Sequence, residues 1–166
     1  MNQLEADRRR VLIRISIGAM DMTQEILDLN QAEYEWLANN LAVAKRLVQN
    51  VIGKDETDWL RSDHLDEAYK VWYADHKRGE EDPNSLINAF GVAFGQFLVL
   101  ELDLEWKLVR DERGTELAVY GEPGEILLFP PNLVAKRYVN GEFDFFLSLS
   151  QAISEDVIRV RRLHKK

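Results

Sequence analysis

Hydrophobic positions change rhythm several times along this chain, and each change marks an element. From Asn30 onward Leu37, Leu41, Ala44, Val48 and Val51 recur at spacings of four and three, while Lys45, Arg46, Gln49 and Asn50 fall opposite. That period predicts an amphipathic helix. Asn30 followed three residues later by Glu33 fits an N-cap with its reciprocal partner, and Gly53 supplies a stop. A second helix is predicted from about Asp63 to His76, with Leu65, Ala68 and Trp72 as its inner stripe and Tyr69 and Tyr73 beside them. Lys77 to Asp82 reads as a charged linker. Pro83 then suits the first turn of the next helix, where no amide hydrogen is needed.

Between Leu86 and Leu102 only Asn88, Gln96 and Glu101 are clearly polar, so this helix is apolar around most of its circumference and is expected at the centre of the fold. The run falls short of the ~18 uninterrupted apolar residues of a membrane span and is bracketed by Asp82, Glu101, Asp103 and Glu105, so no membrane association is expected. Gly91 and Gly95 share one face. Each glycine costs about 1 kcal/mol in a helix relative to alanine, so a strand or another helix is expected to rest directly against that bald stripe. Asn88 lies on the same face, which leaves a ligand pocket there as the alternative.

The rhythm then shortens. Leu104, Trp106 and Leu108 alternate with Glu105, Lys107 and Val109 as a half-buried strand, Asp111-Glu112-Arg113-Gly114 is a turn, and Glu116 to Tyr120 is the returning strand. Gly121 to Gly124 makes another turn, Glu125 to Phe129 a third strand, and Pro130-Pro131 ends it. Leu133 to Tyr138 fits either a short helix or a fourth strand, followed by a turn at Asn140-Gly141. From about Asp144 the residues Phe146, Ser150, Ile153, Val157 and Val160 restore the helical rhythm, with Ser154 and Glu155-Asp156 as a point where it would break. The pattern is α+β: a small antiparallel sheet of three or four strands packed against the central apolar helix, with further N- and C-terminal helices. At 166 residues a single domain over 1–166 is expected, with residues 1–29 unassigned, 30–76 helical, and 83–160 holding the helix, the meander and the C-terminal helix.

The unassigned start has its own signal. Arg8, Arg9 and Arg10 precede Val11, Leu12, Ile13, Ile15 and Ile17 in the manner of a signal peptide, but Arg14 interrupts the apolar run and Ala19-Met20-Asp21 lacks the small-x-small cleavage pattern. The segment is expected to stay in the mature protein, as strand or helix.

Three patterns together resemble a bacterial family known as domain of unknown function 3806. They are the run from Asn84-Ser85-Leu86 through Gly91-Val92-Ala93-Phe94-Gly95, then Leu104-Glu105-Trp106 with the Asp111 to Gly114 turn, and Phe129-Pro130 leading to Lys136-Arg137. The resemblance implies a bacterial α+β domain and brings no activity with it.

Charge and chemistry narrow the function by exclusion. The net charge is −8, and Arg159 to Lys166 holds five basic residues and no acid, so the body is more acidic still. An acidic body argues against nucleic acid, whose phosphates are held by Lys and Arg. The basic end reads as a complement to the negative end of its own helix dipole, with a grip on an anionic partner as the alternative. A chain with no cysteine has neither disulfides nor thiolate chemistry, which suits the cytoplasm. The three histidines, His64, His76 and His164, never form an i, i+4 metal pair, and Asp63, His64, Asp66 and Glu67 read as a solvated helix start. No metal, cofactor, nucleophile elbow or phosphate loop is therefore expected, although paired carboxylates among 29 acids stay open.

Lys136 and Arg137 follow a hydrophobic strand and a double proline, a setting for a partly buried charge paired with Asp111, Asp103 or Glu105. Trp106 fits the inner side of a strand. The leading expectation is a non-catalytic cytoplasmic module of the immunity or adaptor kind that binds another protein, of basic character if the acidic body steers it. The alternative is a small-ligand binder or enzyme with Asn88, Trp106, Lys136 and Arg137 around a pocket between the central helix and the sheet. Tyr34, Trp36 and Trp59 are candidate exposed aromatics, and oligomeric state is open.

Overall fold

The computed structural model describes residues 24–75 and 82–165. The Val11 to Ile17 segment, His76 and most of the Lys77 to Asp82 linker lie outside them. Among the described residues the order is β1 (Glu25–Leu27), α1 (Gln31–Ile52), α2 (Ser62–Ala74), α3 (Pro83–Leu102), β2 (Glu105–Asp111), β3 (Gly114–Gly121), β4 (Ile126–Leu128), α4 (Pro130–Val139) and α5 (Phe146–Leu163). The class is α+β, as the pattern predicts. The described residues fold as two compact units: a strand unit made of residues 24–30, Leu98–Phe129 and 148–165, and a helical unit made of residues 31–75, 82–97 and Pro130–Leu147. Both α3 and α5 contribute residues to each.

In the strand unit the sheet order is β1-β2-β3-β4, antiparallel throughout. β2 and β3 pair from Glu105↔Tyr120 to Asp111↔Gly114, leaving Glu112 and Arg113 as the two-residue turn. Gly114 there has a φ of 135° that favours glycine, and the Asp111 carboxylate accepts the Arg113 amide at 2.7 Å. Val109, Ala118, Leu127 and Phe129 make a buried apolar cluster with Tyr120 against it. The fourth strand is β1, paired through Glu25↔Arg110 to Leu27↔Leu108, and not Leu133 to Tyr138, which is helical. Three residues are too few to show a period, so β1 left no rhythm to read. Lys107 ties it down, its Nζ 2.6 Å from Asp28 and 3.2 Å from Glu105.

The basic end places Arg161 and Arg162 in the last turn of α5, and Arg161 has a further use. Arg161 donates to the backbone carbonyls of Leu102 and, at 3.1 Å, of Asp103, so it closes the C-terminal end of α3. Those carbonyls lack intrahelical donors, and a guanidinium satisfies two of them at the negative end of the helix. α5 itself runs unbroken past Ser154, whose hydroxyl donates to the Ser150 carbonyl at 2.7 Å and so stays within the helix.

In the helical unit α1 buries Leu37, Ala44 and Val48 and exposes Lys45, Arg46 and Asn50. It stops where expected: Gly53, at a φ of 123°, returns its amide to Gln49 at 3.0 Å. α2 buries Leu65, Ala68, Tyr69 and Trp72, the predicted stripe with one of the two tyrosines beside it. On α3 Ala89, Phe90, Ala93 and Phe94 are fully buried. The helix is long and apolar enough to cross a membrane by composition, yet more than half of that stretch is buried within the protein. At Gly91 it is met by a helix: a Cβ there would lie 2.5 Å from Pro131 Cα. The double proline thus ends β4 and also opens α4, because proline at the first positions of a helix forfeits no hydrogen bond.

Candidate functional site

The helical unit is organised around Tyr69. Its ring centroid lies 5.4 Å from Trp72, 5.3 Å from Phe90, 5.1 Å from Phe145 and 5.8 Å from Phe146, all edge-on, the geometry that aromatic quadrupoles favour. One turn earlier on α2, Asp66 is buried and accepts the amides of Phe146 and Leu147 at 2.7 and 2.9 Å. The solvated acidic helix start expected for Asp66 is therefore corrected: its carboxylate caps α5 and fixes the loop that delivers Phe145 and Phe146. Burial raises its pKa above the ordinary carboxylate value, against the two amides, which lower it. Among the described residues no group of three or more histidines and acids is placed to hold a metal ion.

The aromatic core continues to the surface. Tyr138 stacks on Trp72 at 5.7 Å, Tyr73 meets Tyr138 at 6.2 Å, and Phe143 lies 6.1 Å from Tyr73. Tyr73 and Tyr138 are half-buried, while Phe143 is 49% exposed and Val139 80%. The loop between α4 and α5 makes this edge. Gly141, at a φ of 69°, brings the backbone close to the Tyr73 hydroxyl, 3.5 Å from where a Cβ would stand. Lys70 lies with its Nζ 5.7 Å from the Phe143 centroid and 2.9 Å from Asp144. Tyr73, Tyr138 and Phe143 form a partly exposed aromatic shelf, with the exposed Val139 next to Tyr138 in the chain. Its only sequence signal was weak: apolar residues on both sides of the Asn140-Gly141 turn, where a solvated loop would carry none.

The residues singled out from the sequence are distributed as follows. Arg137 is 2% exposed, donates to the Leu133 carbonyl at 2.9 Å, and holds its guanidinium 5.7 Å from the Phe145 ring centroid. Lys136 precedes it on α4, half-buried, and Asn88 is half-buried on α3. These three belong to the helical unit, whereas Trp106 is half-buried on β2 in the strand unit, opposite Val119. Of the acids considered as partners, Glu105 pairs with Lys107 and Asp111 accepts the Arg113 amide, while Asp103 meets Arg161 through its backbone carbonyl. Tyr34 and Trp36 are exposed as expected, but Trp59 is buried and its carbonyl lies 3.3 Å from His64 Nδ1.

A second polar group sits at the turn after β3. The Tyr120 hydroxyl donates to Glu122, whose other oxygen accepts the Glu125 amide at 3.2 Å. Burial, reinforced by Glu122, pushes the Tyr120 phenol up to about 12, and the hydrogen bond from that phenol holds Glu122 low. Gly124, at a φ of 101°, faces Val160 and His164 of the last helical turn so closely that no side chain fits. The turn is a packed structural corner.

No curated protein matches the chain. Among solved structures it is similar to a protein from Bacteroides thetaiotaomicron VPI-5482 whose crystal structure is known at 1.50 Å resolution, with 15% identity and a TM-score of 0.60. That likeness covers 82% of this chain and 49% of the other, so the chain spans about half the length of that protein, and it speaks to the fold alone. The family model described as Domain of unknown function (DUF3806) matches residues 68–146, a stretch holding Tyr69, both glycines of α3, the β2–β3 hairpin, Arg137 and the shelf, and over that stretch the chain is similar to that family.

Proposed function

We propose that this chain is a non-catalytic protein-binding module of the bacterial cytoplasm, of the immunity or adaptor kind, and that it docks through the shelf of Tyr73, Tyr138 and Phe143, with Val139. The observation that supports this reading is the exposure of Phe143 and Val139 beside rings that are otherwise packed into the core. Large apolar side chains on a rigid support lose little conformational freedom on binding and supply the desolvated centre of a protein interface. Asp66 and the Tyr69 cluster hold that support in place. The chain's charge of −8 favours approach by a basic partner, and a chain without cysteine suits a reducing compartment.

The test is capture from the native host at low salt, with the wild-type chain and a Val139→Asp/Phe143→Ser double variant run in parallel. A specific partner should be identified whose recovery falls about tenfold with the variant, the size of effect that central interface residues carry. Capture of no partner rejects the module. Equal recovery by both proteins rejects the shelf.

A further inference from the structure

The chain carries one Asn-Gly step, Asn140-Gly141, and it lies in the loop that holds the shelf. Asparagine before glycine invites an intramolecular reaction, in which the glycine backbone nitrogen attacks the side-chain amide carbon with no Cβ to obstruct its approach. The other exposed asparagines among the described residues are each followed by a residue with a side chain, Asn84-Ser85 among them. Asn140 and Gly141 are both exposed, so water reaches the step.

The fold holds the reacting nitrogen back. The Asn140 amide donates to the Lys136 carbonyl at 3.1 Å, the Gly141 amide to that of Tyr138 at 3.1 Å and the Glu142 amide to that of Arg137 at 2.9 Å, with Gly141 at a φ of 69°. Together they close the C-terminal end of α4 as a glycine cap that satisfies its last carbonyls. An amide nitrogen engaged in this cap keeps its proton and does not turn toward the Asn140 side chain. The reaction therefore waits for the cap to open, and the final turn of a helix opens locally at a far smaller cost than the whole fold. Two contacts just beyond the cap restrain that opening: the Phe143 ring centroid lies 6.1 Å from that of Tyr73, and Lys70 bonds Asp144 at 2.9 Å.

We infer that Asn140-Gly141 is a site of self-modification, at which opening of the α4 cap frees the Gly141 nitrogen to close a succinimide on Asn140 and so dismantles the shelf. The bond from the Gly141 nitrogen to the Asn140 side-chain carbon forms, the bond from that carbon to the side-chain nitrogen breaks, and ammonia leaves with the amide proton. Water then opens the ring at either carbonyl to give aspartate or isoaspartate, with no oxidant or reductant involved. Isoaspartate routes the main chain through the side-chain carbon, which puts an extra methylene between α4 and the Gly141 and Glu142 amides. The cap is not remade at that spacing, and Phe143 loses its placement against Tyr73. Aspartate keeps the spacing and adds only a carboxylate at the negative end of α4, a smaller disturbance. This chemistry is independent of the docking reading; the loss of binding that follows from it rests on that reading.

The test ages the full chain in mildly alkaline buffer, folded and in urea, and maps the products by mass spectrometry with fragmentation that separates aspartate from isoaspartate. Both should accumulate at Asn140 in the folded chain ahead of every other asparagine, and about tenfold or more faster in urea, where no cap has to open first. Lys70→Ala should speed the folded reaction about two- to fivefold, the factor that matches loss of an exposed ion pair, and leave the urea rate unchanged. NMR of the aged chain should show the Tyr73 and Phe143 ring resonances displaced in the isoaspartyl form and nearly in place in Asn140→Asp. A folded chain that stays intact at Asn140 while the urea sample reacts overturns the site. Equal rates in the two samples overturn the gating by the cap, and ring resonances unmoved in the isoaspartyl form overturn the loss of the shelf. Host-partner capture undiminished by the isoaspartyl form, with the rings displaced, rejects the docking reading and leaves the modification standing.

Discussion

The carboxylate of Asp66 accepts the Phe146 and Leu147 amides from a buried position, so it caps the first turn of α5 from a different helix. Removing it leaves two amides without an acceptor, and Asp66→Ala is expected to lower the unfolding free energy by about 1–3 kcal/mol. The pH dependence has a definite sign. Burial, helped by the charge of Asp144, holds the folded pKa above the unfolded value, so the folded chain keeps a proton that the unfolded chain releases. This group's contribution is therefore full below about pH 4, declines as pH rises through the folded pKa, and is level above it. Urea midpoints measured across that range should show the decline in the wild type and lose it in Asp66→Asn. Identical slopes in the two proteins would mean that Asp66 does not titrate as described. Gly91 makes the opposite kind of residue-scale test. Alanine gains helix propensity of about 1 kcal/mol, yet its Cβ would stand 2.5 Å from the Pro131 backbone, so Gly91→Ala should cost a net ~1–3 kcal/mol in thermal unfolding. A neutral or stabilising result would show that the start of α4 yields.

At the scale of elements, hydrophobic rhythm was a good guide wherever an element was long and one-sided. α1 from Asn30 to Gly53, the inner stripe of α2, the β2–β3 hairpin about Glu112-Arg113 and the three-four rhythm of α5 were all legible, because burying one face imposes its period on the sequence. Two elements were not. β1 is only three residues, and α4 opens on two prolines that serve equally to stop a strand and to start a helix. The α3 terminus adds a contact that no local pattern encodes, since Arg161 reaches it from 58 residues away. Arg161→Met is expected to cost about 1–2 kcal/mol and to speed amide exchange in the last turn of α3. Arg161→Lys should recover part of that, as a lysine supplies charge without the fork. Unchanged exchange over Leu98 to Leu102 in the methionine variant would remove the capping role.

For the molecule as a whole, the acidic balance makes a prediction that does not depend on any one contact. If association with a basic partner is steered by a net charge of −8, the association rate should fall steeply as ionic strength rises, while dissociation changes little. Surface plasmon resonance on the captured partner measures both. A rate that is flat with salt would assign recognition to the apolar shelf alone. The shelf was the least legible part of the protein. Tyr73 is far along the chain from Tyr138 and Phe143, and an exposed aromatic looks like a core one until its neighbours are placed. The charged residues that did stand out, Lys136 and Arg137, are a half-buried side chain and a deeply buried one on α4.

By itself the sequence determined the α+β class, the main helices and their inward faces, the hairpin and the resemblance to the family, because periodicity and turn chemistry act over a few residues and leave their record locally. Only the tertiary structure decided which carboxylate caps which helix, what rests against Gly91, and which aromatics stay at the surface. Those outcomes depend on contacts between residues dozens of positions apart. The cost or benefit of such a contact is set by burial, which no single stretch of chain carries.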